Sequence, residues 1–282
     1  MIICKTIAEI RQAVATARKA GKTIGLVPTM GALHDGHLSL IRACREQCGY
    51  TVVSIFVNPT QFGPNEDYAR YPRPETADLA ACERAGVDAV FLPTVKEMYP
   101  AQLTTTVTVG RLGEVLCGRS RPGHFAGVAT VVAKLFHIVG PDKAFFGAKD
   151  FQQTVVVRRM VQELNFPVEI LVCPTVREAD GLAMSSRNAY LSAEQRRQAA
   201  ALSAALIVAR DAIRKGRPPA ETVVKAMREH LARHAPDGQI DYIQVVDPTD
   251  LSDVATTNRP VLVALAVKFG ATRLIDSLLV EL

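Results

Sequence analysis

Along the first 175 residues, short apolar runs rich in Val, Ile and Phe alternate with longer stretches whose apolar positions recur every three or four residues. The runs Thr23–Val27, Thr51–Val57, Ala89–Leu92, Lys143–Phe146 and Val168–Val172 predict strands, since β-branched and aromatic side chains suit a buried pleated surface. The stretches Thr6–Ala20, His37–Cys48, Thr76–Ala85, Gly127–Val139 and Phe151–Leu164 predict helices. Thr6 stands three residues before Glu9, the spacing of a capping box. Strand–helix alternation of this kind folds through right-handed crossovers into a mostly parallel sheet covered on both faces. The expected class is α/β, with a Rossmann-like doubly wound parallel sheet over residues 1–175.

After Pro174 the pattern changes. A turn-prone segment from Arg177 to Asn188 leads to Ser192-Ala-Glu-Gln195, a second capping-box spacing, and then to an Ala-rich helix ending near Lys215. Arg217-Pro-Pro219 interrupts, a further helix runs to about His234, and Asp237-Gly238 turns into strands near Ile240–Val246, Val261–Val267 and Arg273–Leu279. Residues 176–282 are therefore expected to form a smaller α+β C-terminal lid domain with an antiparallel sheet.

Composition narrows the function classes. With 282 residues, 48% hydrophobic and 22% charged, the chain is no collagen, coiled coil or low-complexity polymer, and it can bury a core without disulfides. Apolar runs such as Val261–Val267 are far shorter than the roughly 20 residues a membrane-spanning helix needs. Met-Ile-Ile-Cys-Lys at the N-terminus lacks the basic region of a secretory signal, so none is expected. A net charge of +5 suits anionic small molecules, without the basic stretch of a dedicated nucleic-acid binder. The six cysteines are scattered with no C-x-x-C pair, which predicts buried thiols and a cytoplasmic setting rather than zinc or disulfides.

The candidate chemistry gathers at strand ends, where open α/β sheets bind ligands. Thr23–Val27 runs into Pro28-Thr-Met-Gly-Ala-Leu-His-Asp-Gly-His37, and two imidazoles at a helix N-terminus make an anion site suited to phosphate. The bland alternative makes His34 a loop residue and Asp35 a helix cap. Thr51–Val57 runs into Asn58-Pro-Thr-Gln61; the Asn-Pro pair reads as turn chemistry, whereas the Gln61 amide suits a hydroxyl or a carboxylate. After Lys143–Phe146 come Gly147-Ala-Lys149-Asp150 and Gln153: Lys149 could neutralise a phosphate, and Asp150 with Gln153 could equally be a helix cap and its partner. The fourth loop, Met184-Ser-Ser-Arg-Asn188, offers two hydroxyls and a guanidinium as a phosphate clamp. His124, in Arg119-Ser-Arg-Pro-Gly-His-Phe, could line the anion site or only connect elements. No P-loop motif is present.

PTMGALHDGH, with MSSRN downstream, resembles the signatures of the His-x-Gly-His adenylyl-transferring Rossmann superfamily. VSIFVNPTQF, YPR, RPGHFAGV, FFGAKDFQQ and DGLAMSSRNAYL, in that order, bring the resemblance to the pantoate–β-alanine ligases (pantothenate synthetases) along the whole chain. That resemblance implies condensation of (R)-pantoate with β-alanine through a pantoyl adenylate, using ATP and Mg²⁺ and releasing AMP and pyrophosphate, in coenzyme A precursor biosynthesis. It implies ATP binding by Met30, Gly31, Ala32, Leu33, His34, Asp35, Gly36 and His37, then by Gly147, Ala148, Lys149, Asp150 and Val176, and by Met184, Ser185, Ser186 and Arg187. His37, with the acid role, His34, Lys149 and Arg187 are the expected catalytic groups; Gln61 and Gln153 would bind pantoate, and Gln61 would also meet β-alanine. A cytoplasmic homodimer is implied as well, with no protein metal ligands, nucleic acid or membrane partner assigned. Some relatives carry adjacent acids where this chain has Ala77 before Asp78, so Asp78 is left outside the expected site. Three alternatives remain at this point: a nucleotidylyltransferase acting on a phosphate acceptor, a tRNA-charging enzyme, and a nucleotide sensor without turnover.

Overall fold

The computed structural model describes residues 1–282. Its strands are β1 (Ile2–Cys4), β2 (Ile24–Thr29), β3 (Tyr50–Ile55), β4 (Ala89–Phe91), β5 (Lys143–Gly147), β6 (Glu169–Cys173), β7 (Gly238–Val246), β8 (Val261–Phe269) and β9 (Thr272–Val280). Its helices are α1 (Ile7–Lys19), α2 (Asp35–Gln47), α3 (Glu75–Arg84), α4 (Val95–Met98), α5 (Cys117–Ser120), α6 (His124–Val139), α7 (Phe151–Glu163), α8 (Ala193–Ala199), α9 (Ala201–Gly216) and α10 (Ala220–His234). The chain forms two compact units. One comprises Met1–Glu114, Arg121–Gly147 and Val156–Cys173; the other comprises Val115–Ser120, Ala148–Val155 and Pro174–Leu282.

The first unit is built on a six-stranded sheet in the order β1-β4-β3-β2-β5-β6, every pairing parallel. Sequence pattern predicts five of these strands. The sixth, β1, is only three residues long and largely exposed at the sheet edge, so it leaves no apolar run to read. Strand β3 is buried at all six positions, as a strand covered on both faces must be. Helix α2 lies close on β2 because residue 25 is glycine: a Cβ there would collide with the Cys44 sulfur. Succession runs β2 to β3 to β4 in one direction and β5 to β6 in the other, so the order reverses between β2 and β5. Ligands in such sheets bind beyond the carboxyl ends of the strands at that reversal.

Most boundaries shift by one or two residues, and two elements differ more from expectation. Helix α6 starts at His124 rather than Gly127, because Gly123 in the left-handed region (φ 81°) turns the chain into the helix one turn early. The helix after Ser192 forms as two segments, α8 and α9, meeting at Ala200, whose own angles (φ −59°, ψ −25°) stay helical. Both expected capping boxes are present, Thr6 with Glu9 and Ser192 with Gln195.

In the second unit β7, β8 and β9 form an antiparallel sheet. Leu202, Leu206 and Ile213 of α9 and Val223, Met227 and Leu231 of α10 bury their side chains with Val263, Leu265, Val267 and Phe269 of β8. Burying a side chain of this kind stabilises by roughly 1.5–3 kcal/mol, so this layer is a core in its own right.

Candidate active site

Beyond β2 the backbone takes two left-handed steps, at Gly31 (φ 81°) and Ala32 (φ 50°). Asp78 of α3 holds them there. Its Oδ2 accepts from the Ala32 N–H and its Oδ1 from the Leu33 N–H, each at 2.8 Å. A Cβ on residue 31 would stand 2.9 Å from Asp78 Oδ2 and 3.1 Å from Ile55, so the glycine lets the carboxylate close on the turn. The carboxylate is buried; burial pushes its pKa up, against the pull of the two backbone donors. An acid on the buried face of α3, one turn from buried Cys82, is the sequence signal for this role.

The turn ends in His34, which caps α2, whereas the bland alternative had made Asp35 the cap. Its Nδ1 accepts the Gly36 N–H at 3.1 Å, and His37 Nδ1 accepts the His34 N–H at 3.3 Å. The pair reproduces a capping box in imidazole form. A backbone N–H only donates, so each Nδ1 is unprotonated and each neutral ring carries its proton on Nε2. The ring centroids lie 4.1 Å apart at the N-terminus of α2. Two N–H donors and a helix dipole end thus share one turn, an arrangement suited to phosphate oxygens.

Gln61 sits in the 3₁₀ turn Pro59–Gln61 beyond β3. The orientation of its amide follows from a chain of one-way bonds. Asn58 Oδ1 accepts the Thr60 N–H (3.3 Å) and the Tyr99 hydroxyl (2.8 Å), which turns its Nδ2 toward the Gly127 carbonyl (3.2 Å) and Gln61 Oε1 (3.1 Å). With Oε1 committed, the Gln61 Nε2 faces the β2 turn and meets the Met30 sulfur at 3.2 Å. Asn58 is fully buried and does more than close the turn that the Asn-Pro pair predicts.

In the second unit, β9 carries the candidate loops. Both the turn Ala148–Asp150 and the turn Ser186–Tyr190 pack against it. The Ser277 hydroxyl donates to the carbonyls of Ala148 (3.3 Å) and Lys149 (3.5 Å). Arg177 makes a two-pronged pair with buried Asp276 (2.6 and 3.1 Å) and also donates to the Gly181 carbonyl (3.0 Å). The Arg177–Ala183 bridge sets Val176 beside Met184, whose N–H donates to the Val176 carbonyl at 3.0 Å. Ser185 caps the next turn, its Oγ accepting the Arg187 N–H at 3.3 Å.

The chain matches the family model described as pantoate-beta-alanine ligase over residues 2–279. It belongs to the pantoate–β-alanine ligase family. The pantothenate synthetase of Moorella thermoacetica is 56% identical over 281 residues, covering 100% of this chain and 99% of that protein. That of Acetivibrio thermocellus is 53% identical, with 100% of each covered. Among solved structures, the pantothenate synthetase of Thermus thermophilus superposes with a TM-score of 0.93 at 46% identity, covering 99% of both chains. The pantoate-beta-alanine ligase of Francisella tularensis, solved with "Beta-gamma ATP" and beta-alanine, gives 0.80 at 33% identity over 99% of this chain and 97% of that one.

Within the first unit of this ligase, Met30 and Gln61 touch, and His34 and His37 share a turn. Gly147 ends β5, across the strand-order reversal from β2. Within the second unit, Lys149 and Asp150 share a turn leading into α7, with Gln153 in that helix's first turn, and Val176 is bonded to Met184. Asn58, Asp78, Asp276 and Ser277 support these residues and are absent from the motif-based set; each is buried.

Proposed function

We propose that this ligase joins pantoate to β-alanine in two steps at the residues named above. A carboxylate resists attack by an amine because its leaving group would be oxide. Transfer of AMP from ATP onto pantoate makes a mixed anhydride, and pyrophosphate leaves. Negative charge grows on that leaving group, and His34, His37, Lys149 and Arg187 are the groups to stabilise it, a preorganised electrostatic task. The β-alanine amine then attacks the acyl carbon and AMP departs. The reading assigns ATP to Met30–His37, Gly147–Asp150, Val176 and Met184–Arg187, and pantoate to Gln61 and Gln153, with Gln61 also meeting β-alanine. The observation that carries it is the bonding of the His34–His37 pair: both Nδ1 atoms accept N–H groups of the turn, which leaves the Nε2 atoms as the donors for a phosphate.

No side-chain nucleophile is required. Burial pushes the Cys44 and Cys82 thiols up to about 12, which keeps them protonated and inert. No group of three or more His, Cys, Asp or Glu side chains is placed to hold a metal, and both Asp78 oxygens are taken by backbone donors. Magnesium belongs to this reading on the family resemblance, as the companion of the ATP phosphates, where it would neutralise charge on the departing pyrophosphate. No helix is long and apolar enough to cross a membrane. Cytoplasmic location and a homodimer belong to the same reading, on the family resemblance; sedimentation of the purified protein tests the latter.

The test is incubation with Mg·ATP and pantoate, with and without β-alanine. Pantothenate formed with stoichiometric AMP supports the reading, and ADP in its place rejects it. In single-turnover adenylation, His37→Ala and Lys149→Ala are each expected to slow the step by about 10²–10³-fold. A variant that adenylates at the normal rate removes that residue from the catalytic set.

A further inference from the structure

Three side chains and one carbonyl form a directed chain beside the pantoate-assigned turn. Arg121 donates from Nε to Glu66 Oε1 (2.7 Å) and from Nη2 to Glu66 Oε2 (2.5 Å). Its Nη1 meets His124 Nε2 at 3.0 Å, and His124 Nδ1 meets the Gln61 carbonyl at 2.8 Å. Arg121 Nη2 also reaches that carbonyl, at 3.3 Å. A guanidinium only donates and a carbonyl only accepts. One form of His124 satisfies both neighbours, the neutral ring with its proton on Nδ1. This is the opposite tautomer to that of His34 and His37.

We propose that Glu66, Arg121 and His124 are positioning residues that fix the Gln61 backbone so that its amide meets pantoate in one pose. Local geometry explains how they converge. Gly123 (φ 81°) turns the chain between Arg121 and His124 and starts α6, bringing both side chains onto the same carbonyl. One turn along α6, residue 127 must be glycine, because a Cβ there would collide with the Thr60 carbonyl oxygen and lie 2.7 Å from Gln61 Cα. The Gln61 side chain is held independently by Asn58. Carbonyl, Cα and amide are thus each fixed by a different neighbour. Binding groups held by such a supporting set retain the geometry that orientation effects require. A mere loop staple would need only the Glu66–Arg121 pair; here both Arg121 and His124 converge on the Gln61 carbonyl.

The proposal rests on the reading that Gln61 contacts pantoate, and the experiment separates the two. Steady-state kinetics are measured for wild type, Gln61→Ala, His124→Ala, His124→Gln and His124→Asn, with thermal unfolding to show that each is folded. The Asn amide places an N–H where Nδ1 stands, whereas the Gln amide places it near Nε2. His124→Ala and His124→Gln are expected to raise the KM for pantoate by about tenfold with the KM for ATP within about twofold, while His124→Asn stays near wild type. Should His124→Ala not fold, the Gln and Asn variants carry the comparison. An unchanged pantoate KM in His124→Ala, an equal loss in His124→Asn, or a parallel rise for ATP overturns the positioning role. If Gln61→Ala itself leaves the pantoate KM unchanged in an enzyme that makes pantothenate, the underlying assignment fails first, and the positioning role with it.

Discussion

Asn58 donates its amide N–H to Gln61 Oε1 at 3.1 Å, and this bond decides which end of the Gln61 amide is left for a ligand. An N–H₂ group presented this way selects an acceptor, which matches the carboxylate or hydroxyl oxygens of a hydroxy acid. Asn58→Asp keeps the acceptor for Thr60 and Tyr99 but removes the donors to Gln61 and to the Gly127 carbonyl. The Gln61 amide is then expected to turn over. Pantoate binding should weaken by about 1.5–3 kcal/mol, read as a higher KM for pantoate with little change for ATP.

Asp78 shapes the turn that carries the two histidines through its bonds to the Ala32 and Leu33 N–H groups. Asp78→Asn keeps its volume but leaves one oxygen for two backbone donors, so one of the Ala32 and Leu33 N–H groups loses its partner. The expected cost is about 1–3 kcal/mol in stability, with slower single-turnover adenylation. Normal adenylation in a folded Asp78→Asn protein would show that the turn keeps its shape without the second bond.

In the second unit the charge buried at β9 belongs to Asp276, whose side chain is 1% exposed against 27% for Arg177. Removing the cation strands that carboxylate, whereas removing the carboxylate leaves a cation that water can reach. Arg177→Met should therefore cost more than Asp276→Ala, about 3 kcal/mol or above by urea unfolding. Equal losses would indicate that packing rather than charge sets the value of the pair.

Acid should weaken the first unit through Glu66. Burial raises its pKa, but the bonds and charge of Arg121 outweigh that and hold the carboxyl below its usual value of 4.5. A carboxyl lowered on folding stabilises fully above its unfolded pKa and loses that contribution as pH falls through the folded one. Stability should thus decline below about pH 4.5, with a shallower dependence in Glu66→Gln. The same slope in both proteins would assign the acid sensitivity elsewhere.

The parallel sheet was legible because its inner strands are buried on both faces and read as continuous apolar runs, β3 most plainly. Strand β1 was hidden by its length and exposure. Gly127 misled for a physical reason: glycine is a weak helix former, so it marks a boundary by propensity, whereas here it lies inside α6 to admit the Thr60 carbonyl. The residues that bear polar groups at strand ends were readable from motif and position. The partners of their supports were not, because Asn58, Asp78 and Asp276 act through contacts with residues 41 to 99 positions away or through a turn that looked self-sufficient. His34 shows the same limit, since a histidine in the cap position carries no capping signal in sequence alone.

The central claim is that pantoate is activated at its carboxylate by AMP transfer before β-alanine attacks. Pantoate labelled with ¹⁸O in its carboxylate, turned over with Mg·ATP and β-alanine, tests it by mass spectrometry of the nucleotide product. One labelled oxygen per AMP is the predicted result, because the oxygen that attacks the α-phosphorus leaves with it. Pantothenate formed alongside unlabelled AMP would contradict the account.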